Sequence, residues 1–165
     1  MISHLLFMRH AQASWTEDTL SDHARALSKR GHKEADIVAK TLIARGYAPD
    51  IIWASTAQRT QETARRLIRI IEGPQVILKV PEFYNSSAAQ VLSHIQTAQE
   101  PNGNLMLLGH NPGWSELASH FTGRAENMPT AMCFVFKRRH PGENWLSPKS
   151  WRLIDEIIAG DLLGS

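Results

Sequence analysis

One cysteine in 165 residues means that no disulfide can form within this chain, so the stapled framework of a small secreted domain is excluded. Cys133 lies in the apolar run Ala131-Met132-Cys133-Phe134-Val135-Phe136 with nothing beside it to lower its pKa, and reads as a buried structural thiol rather than a nucleophile. No apolar stretch approaches the ~20 residues of a membrane-spanning helix, and the amino terminus lacks the basic and then apolar layout of a secretory signal. A cytoplasmic protein with no membrane partner is expected. The formal net charge of +2 is too small to imply a nucleic-acid partner, and the cluster Lys137-Arg138-Arg139-His140 reads as a solvated turn. Linkers, internal repeats and low-complexity segments are also lacking, and the length suits a single domain spanning 1–165.

What the chain does contain is an alternation of strand and helix patterns. Leu5 to Met8, Ile51 to Ala54, Gln75 to Val80 and Leu105 to Leu108 are short apolar runs of strand length. Between them, Glu34 to Arg45, led in by Ala26 to His32, carries apolar residues at helical spacing and stops at Gly46. Ser55-Thr56 opens a second helix reaching Ile71, Ser86 or Ser87 caps a third from Ala88 to about Ala98, and Gly113 to Phe121 forms a fourth. Met132 to Phe136 and Ser150 to Glu156 read as two strands joined by a polar hairpin, and Gln12 to Asp22 as a long loop. Such alternation predicts an α/β fold: a three-layer α/β/α sandwich on a mostly parallel sheet, with an antiparallel addition near the carboxyl terminus. The last apolar residues, Ile157 to Leu163, have either this domain or a second chain to pack on, and no oligomeric state is assigned.

Three of these strands end in basic groups. Leu5-Leu6-Phe7-Met8-Arg9-His10-Ala11 breaks from an apolar run into a guanidinium and an imidazole; Asn104-Leu105-Met106-Leu107-Leu108-Gly109-His110-Asn111-Pro112 repeats the pattern; Asp50-Ile51-Ile52-Trp53-Ala54-Ser55 is followed almost at once by Arg59. The carboxyl ends of strands in an open α/β sheet are where ligands bind, so the three basic groups would converge on one anion. Phosphoryl transfer asks for little more than an in-line nucleophile and cations around the equatorial oxygens. Neighbouring guanidiniums disfavour protonation of an imidazole and so keep it nucleophilic, and their planar forks match a phosphate. Chemistry of this kind needs no metal or other cofactor. His4, His23, His32, His94, His120 and His140 show no metal-ligand spacing and read as surface or partly packed residues.

Met8-Arg9-His10-Ala11, then Ser55-Thr56-Ala57-Gln58-Arg59-Thr60-Gln61-Glu62-Thr63-Ala64, then Gly109-His110-Asn111-Pro112 together resemble the histidine phosphatase superfamily, also called the phosphoglycerate mutase-like family. The small size and the segment Ser21-Asp22-His23-Ala24-Arg25-Ala26-Leu27 most resemble its SixA-like phosphohistidine phosphatases. The resemblance implies a phosphoglycerate mutase-like fold and phosphatase activity, with His10 as the transiently phosphorylated nucleophile and Arg9, Arg59 and His110 binding the phosphoryl group. It offers Arg25 as a further phosphate contact, against a helix-start salt bridge. Ser55 either donates a hydrogen bond at this site or caps the helix that follows. One position departs from the family: Ala11 stands where Arg-His-Gly is usual, and if the backbone there needs positive φ, alanine costs about 1 kcal/mol or more.

Breaking a phosphate ester leaves an alkoxide that needs a proton, and the resemblance offers Glu82, with Asp22 as a second candidate for the general acid. A phosphoramidate depends less on such an acid. Little chain is available between the second helix and the strand before His110 for a lid, and an open pocket suits a phosphorylated side chain presented by another protein. The expected substrate is therefore protein phosphohistidine; the alternatives are a small phosphate ester hydrolysed by a general phosphomonoesterase, or phosphate held by a non-catalytic module because of Ala11.

Overall fold

The structure is a computed structural model that describes residues 1–15 and 21–164; the middle of the loop expected over Gln12 to Asp22 lies outside the described residues. Among these residues, six strands form one sheet: β1 (Ile2–Arg9), β2 (Ile51–Ala54), β3 (Val76–Lys79), β4 (Gly103–Gly109), β5 (Cys133–Arg138) and β6 (Trp151–Ile157). Their order is β3-β2-β4-β1-β5-β6, with the first four mutually parallel, β5 antiparallel to β1 and β6 antiparallel to β5, as the alternating pattern predicts. The five α-helices are α1 (Lys29–Arg45), α2 (Gln58–Ile71), α3 (Ala88–Ile95), α4 (Gly113–Thr122) and α5 (Ala159–Leu163). None is long and apolar enough to cross a membrane.

The strand period divides the apolar residues between two cores. Leu5 and Phe7 of β1 and Leu105 and Leu107 of β4 face Val91, Trp114, Leu117 and Phe121 of α3 and α4. Leu6, Met8, Met106 and Leu108 face Val38, Leu42, Ala64 and Leu67 of α1 and α2. Each of these side chains is almost wholly buried, and burying one stabilises the fold by about 1.5–3 kcal/mol. The result is a sheet sandwiched between two helical layers, with α5 lying against α1 on the second face, so that Ile157 and Ala159 pack on the same domain while Leu162 stays exposed.

Several boundaries differ from expectation for local reasons. Helix α1 begins at Lys29, because Ser28 accepts a hydrogen bond from the Gly31 amide and caps it. Helix α2 begins only at Gln58, after an extended Ala57 with no side-chain cap, since Ser55 is engaged elsewhere. Ser87 rather than Ser86 caps α3, through a reciprocal box with Gln90, and α3 ends at Ile95. Strand β5 continues through Lys137 and Arg138, and only Arg139 and His140 of the basic cluster lie in an exposed bend; Arg138 is paired with Glu100, donates to the Ile2 carbonyl at 3.1 Å and lies over the Trp151 ring.

Candidate active site

Register brings the basic groups together. In the β1–β4 ladder Arg9 stands opposite Gly109, and in the β2–β4 ladder Ala54 stands opposite Leu108, so His10, His110 and Ser55 each leave the sheet at the same edge. Backbone bonds extend the ladders past the strand ends: His10 N–H donates to the Gly109 carbonyl at 3.0 Å and Ser55 N–H to the Leu108 carbonyl at 3.2 Å. Gly109 has no substitute here, because a Cβ would lie 2.4 Å from the Trp114 ring that backs the strand end. These ends form the floor of a cavity of about 550 Å³.

His10 is 6% exposed. Its Nδ1 lies 2.7 Å from the Ala11 carbonyl oxygen, which can only accept, so Nδ1 carries the proton and Nε2 carries the lone pair. Burial is the main cause that holds the His10 pKa down to about 3; the neighbouring His110, Arg59 and Arg9 add to it, and the Ala11 carbonyl opposes it. His10 is therefore a neutral imidazole at physiological pH.

His110 lies with its ring centroid 5.1 Å from that of His10. Its Nε2 is 2.7 Å from Ser55 Oγ and 3.3 Å from Thr60 Oγ1, while its Nδ1 is 3.4 Å from an Arg59 nitrogen that can only donate. Nε2 thus donates and Nδ1 presents its lone pair toward the guanidinium. Burial first, and then the charge of Arg59, lower its pKa to about 3. Ser55 is a positioning partner of His110 in this arrangement rather than a helix cap; its hydroxyl also accepts from the Ala57 amide at 3.3 Å.

Asp22 gathers the cations. Arg59 donates to its backbone carbonyl at 2.7 Å and to Oδ2 at 3.1 Å, Arg25 donates to Oδ1 at 3.1 Å, and the Tyr84 hydroxyl donates to Oδ2 at 2.5 Å. The Tyr84 bond first, and then Arg25 and Arg59, hold the Asp22 carboxyl down to about 2, so it is ionised and has no proton to give at neutral pH. Arg25 also lies 3.2 Å above the Trp15 ring, and Trp15 itself is 79% exposed at the mouth of the cavity. Arg9 donates to the Met128 carbonyl at 3.0 Å, and burial lowers its pKa, with the charge of Glu34 opposing. The Nε atoms of both Arg9 and Arg59 are buried without a partner among the described residues. The Arg9 and Arg59 side chains line the same cavity as the neutral His10 imidazole, where their charge suits an incoming oxyanion.

Not every expected residue is at the cavity. Glu82 sits in a short 3-10 turn, Pro81–Phe83, where Phe83 is buried against Trp114 and the Glu82 carboxylate turns away to lie 3.5 Å from His94. Just after that turn Tyr84 and Asn85 do line the cavity, and the sequence singled out neither. Glu34 was also missed: its buried carboxylate accepts from the Gln12 amide at 2.8 Å and from the Thr130 hydroxyl at 3.0 Å, tying two cavity walls together. Thr63 accepts from the Ala11 amide at 3.1 Å and so braces the loop after His10. Ala11 is fully buried and its φ is not positive, so alanine brings no backbone strain to the place where the family has glycine.

A sequence profile of the histidine phosphatase superfamily (branch 1) matches residues 5–80. Among curated relatives, an uncharacterized chloroplastic protein of Arabidopsis thaliana is 32% identical over 172 residues, covering 95% of this chain and 78% of that protein. Among solved structures, a protein of Agrobacterium tumefaciens proposed to be the phosphohistidine phosphatase SixA superposes with a TM-score of 0.81 at 30% identity, covering 96% of this chain and 99% of that one. A protein histidine phosphatase SixA complexed with tungstate superposes with a TM-score of 0.77 at 17% identity, over 96% of this chain and 99% of that one, a likeness of fold.

Proposed function

The chain belongs to the histidine phosphatase superfamily and is a phosphatase of SixA-like fold, and within that activity we propose that it dephosphorylates protein phosphohistidine through a covalent intermediate on His10. The observation that carries this is the neutral His10 imidazole, its Nε2 lone pair available in a cavity that Arg9 and Arg59 also line. In the first step Nε2 forms a bond to phosphorus as the P–N bond of the substrate breaks. The leaving imidazole takes the bonding electron pair and departs neutral, because its other ring nitrogen already carries a proton. In the second step water adds to phosphorus, the P–Nε2 bond breaks, and neutral His10 and dihydrogen phosphate are released. Arg9 and Arg59 face the equatorial oxygens in both steps, and His110 takes up a proton on Nδ1 to join them when the dianion enters.

Leaving-group chemistry supports a phosphoramidate over an alkyl ester. The one carboxylate lining the cavity among the described residues is Asp22, and it is ionised, so it cannot protonate an alkoxide. Transfer from one imidazole to another makes the same kind of bond that it breaks and asks for no such acid. Cations come from the arginines, and no metal takes part in these steps.

The test is a direct comparison of kcat/KM on a peptide phosphorylated at its single histidine and on small alkyl phosphates. The phosphopeptide is expected to be turned over faster by a factor of ~100 or more, the scale of one general-acid contribution. Equal or reversed preference would move the substrate to small phosphate esters, for which a cavity of about 550 Å³ also has room.

A further inference from the structure

The catalytic cavity continues along the surface. It shares Asn85, His110 and Asn111 with a neighbouring hollow of about 320 Å³, which also touches Glu116 in the first turn of α4. That hollow shares Ser86 and Gln90 with a third, of about 530 Å³, lying on the outer face of α3. The third in turn shares Glu82 and His94 with a fourth, of about 240 Å³, walled by Trp53, Leu78, Val80 and Ile95. The row therefore begins at the nucleophile and ends beside β3, the edge strand of the sheet.

Its two ends differ in chemistry. Next to the cavity the walls are amides and hydroxyls; Ser86, Ser87 and Asn111 are bonded within the chain, which leaves Asn85 and the side-chain N–H groups of Gln90 for a peptide backbone. At the far end the wall is mostly apolar: Leu78 is 47% exposed on the edge strand β3, and Trp53 is 6% exposed, its Nε1 buried without a partner among the described residues. A half-exposed leucine beside a concave apolar hollow the size of one large side chain is a seat for an anchor residue.

Building on the phosphohistidine reading above, we propose that this row of hollows is the docking groove for the polypeptide that carries the phosphohistidine, and that one apolar side chain of that polypeptide seats against Leu78 and Trp53. A phosphohistidine in the cavity is tethered to its own backbone, and the chain of hollows continuous with the cavity offers that backbone a path over α3 to the edge of the sheet. The polar stretch receives that backbone next to the reacting centre. The apolar hollow then adds binding energy remote from the chemistry, which a small phosphorylated molecule cannot use.

The experiment uses synthetic peptides with a single histidine phosphorylated by phosphoramidate and one leucine placed at successive distances on either side, with free phosphohistidine as the small substrate. For the full chain, kcat/KM should rise about tenfold at one favoured spacing relative to a leucine-free peptide, the size of a modest anchor contact. Leu78→Asp, a change at a half-exposed edge position that the fold tolerates, should abolish that advantage and leave free phosphohistidine hydrolysis unchanged. Turnover of the peptides with no dependence on spacing, or a dependence that survives Leu78→Asp, overturns the groove and leaves the phosphohistidine reading standing. Failure to turn over any phosphopeptide while an aryl phosphate is hydrolysed overturns both.

Discussion

The Nδ1 atom of His10 lies 2.7 Å from the carbonyl oxygen of Ala11, its neighbour in the chain, and this contact assigns the proton to Nδ1 and the attack to Nε2. A chain quenched in alkali during turnover should therefore carry phosphate on Nε2 of His10. The adduct should be alkali-stable and acid-labile, and phosphorus NMR of a digest should report that ring position. His10→Ala is expected to lose both label and turnover. Label on another residue, or full turnover by that variant, would remove His10 from the role of nucleophile.

Acid should weaken the fold through the two active-site histidines. Each has its ordinary value of 6.5 lowered to about 3, mainly by burial, so between those values the unfolded chain binds protons that the folded chain does not. Stability rises with pH wherever the unfolded state holds more protons, so this contribution is complete above about pH 6.5 and is lost as pH falls toward 3. Urea midpoints measured from pH 7 down to pH 4 should drop more steeply for the native chain than for a His10→Asn/His110→Asn double variant. Equal slopes would mean that the imidazoles are not held neutral. Saturating vanadate should flatten the native slope, because an anion beside His110 favours its protonated form.

Removing Arg59 should cost more than removing an ordinary surface cation. It is buried and its fork points two ways, to Asp22 and toward His110. Arg59→Ala is expected to lower kcat/KM by about 100-fold to 1,000-fold, in line with loss of one preorganised donor. Arg59→Lys should recover little, since one ammonium cannot span both directions. Recovery to near-native rates by lysine would reduce Arg59 to a point charge.

Ala11→Gly should leave kcat nearly unchanged. The backbone at Ala11 is not in the left-handed region, so glycine relieves nothing there. It does remove a fully buried methyl and loosens the unfolded chain, and should lower stability by about 1–2 kcal/mol in a denaturant titration. A large gain in rate would mean that the methyl obstructs the phosphate.

The strands and the histidine pair were legible in sequence because burial on both faces writes a continuous apolar run, and β1 and β4 end that run abruptly at Arg9-His10 and Gly109-His110. Ser55 was less so: a serine ahead of a helix looks like a cap, and only the packing of β4 against β2 brings His110 within 2.7 Å of its hydroxyl. Glu34 lies in the first turns of α1, where a carboxylate ordinarily faces water, and its burial against Gln12 and Thr130 arises from tertiary contact alone. Between Glu82 and Tyr84, the decision rests on which way an irregular turn rotates. Anchoring of Phe83 in the core sends Glu82 outward and Tyr84 into the cavity, and no short-range periodicity announces that.

Cys133 pairs across the ladder with Met8, one residue before Arg9, and is wholly buried, with burial also pushing its thiol pKa up. Its side chain lies in the core under α1, α2 and α5, so a thiol reagent can reach it only when that helical layer lifts from the sheet or the domain unfolds. The chain thus carries a built-in clock for the opening of the layer behind the nucleophile: modification rates read out that event without an added probe, and occupancy of the phosphate site, which α2 borders through Arg59, should register as a slower tick.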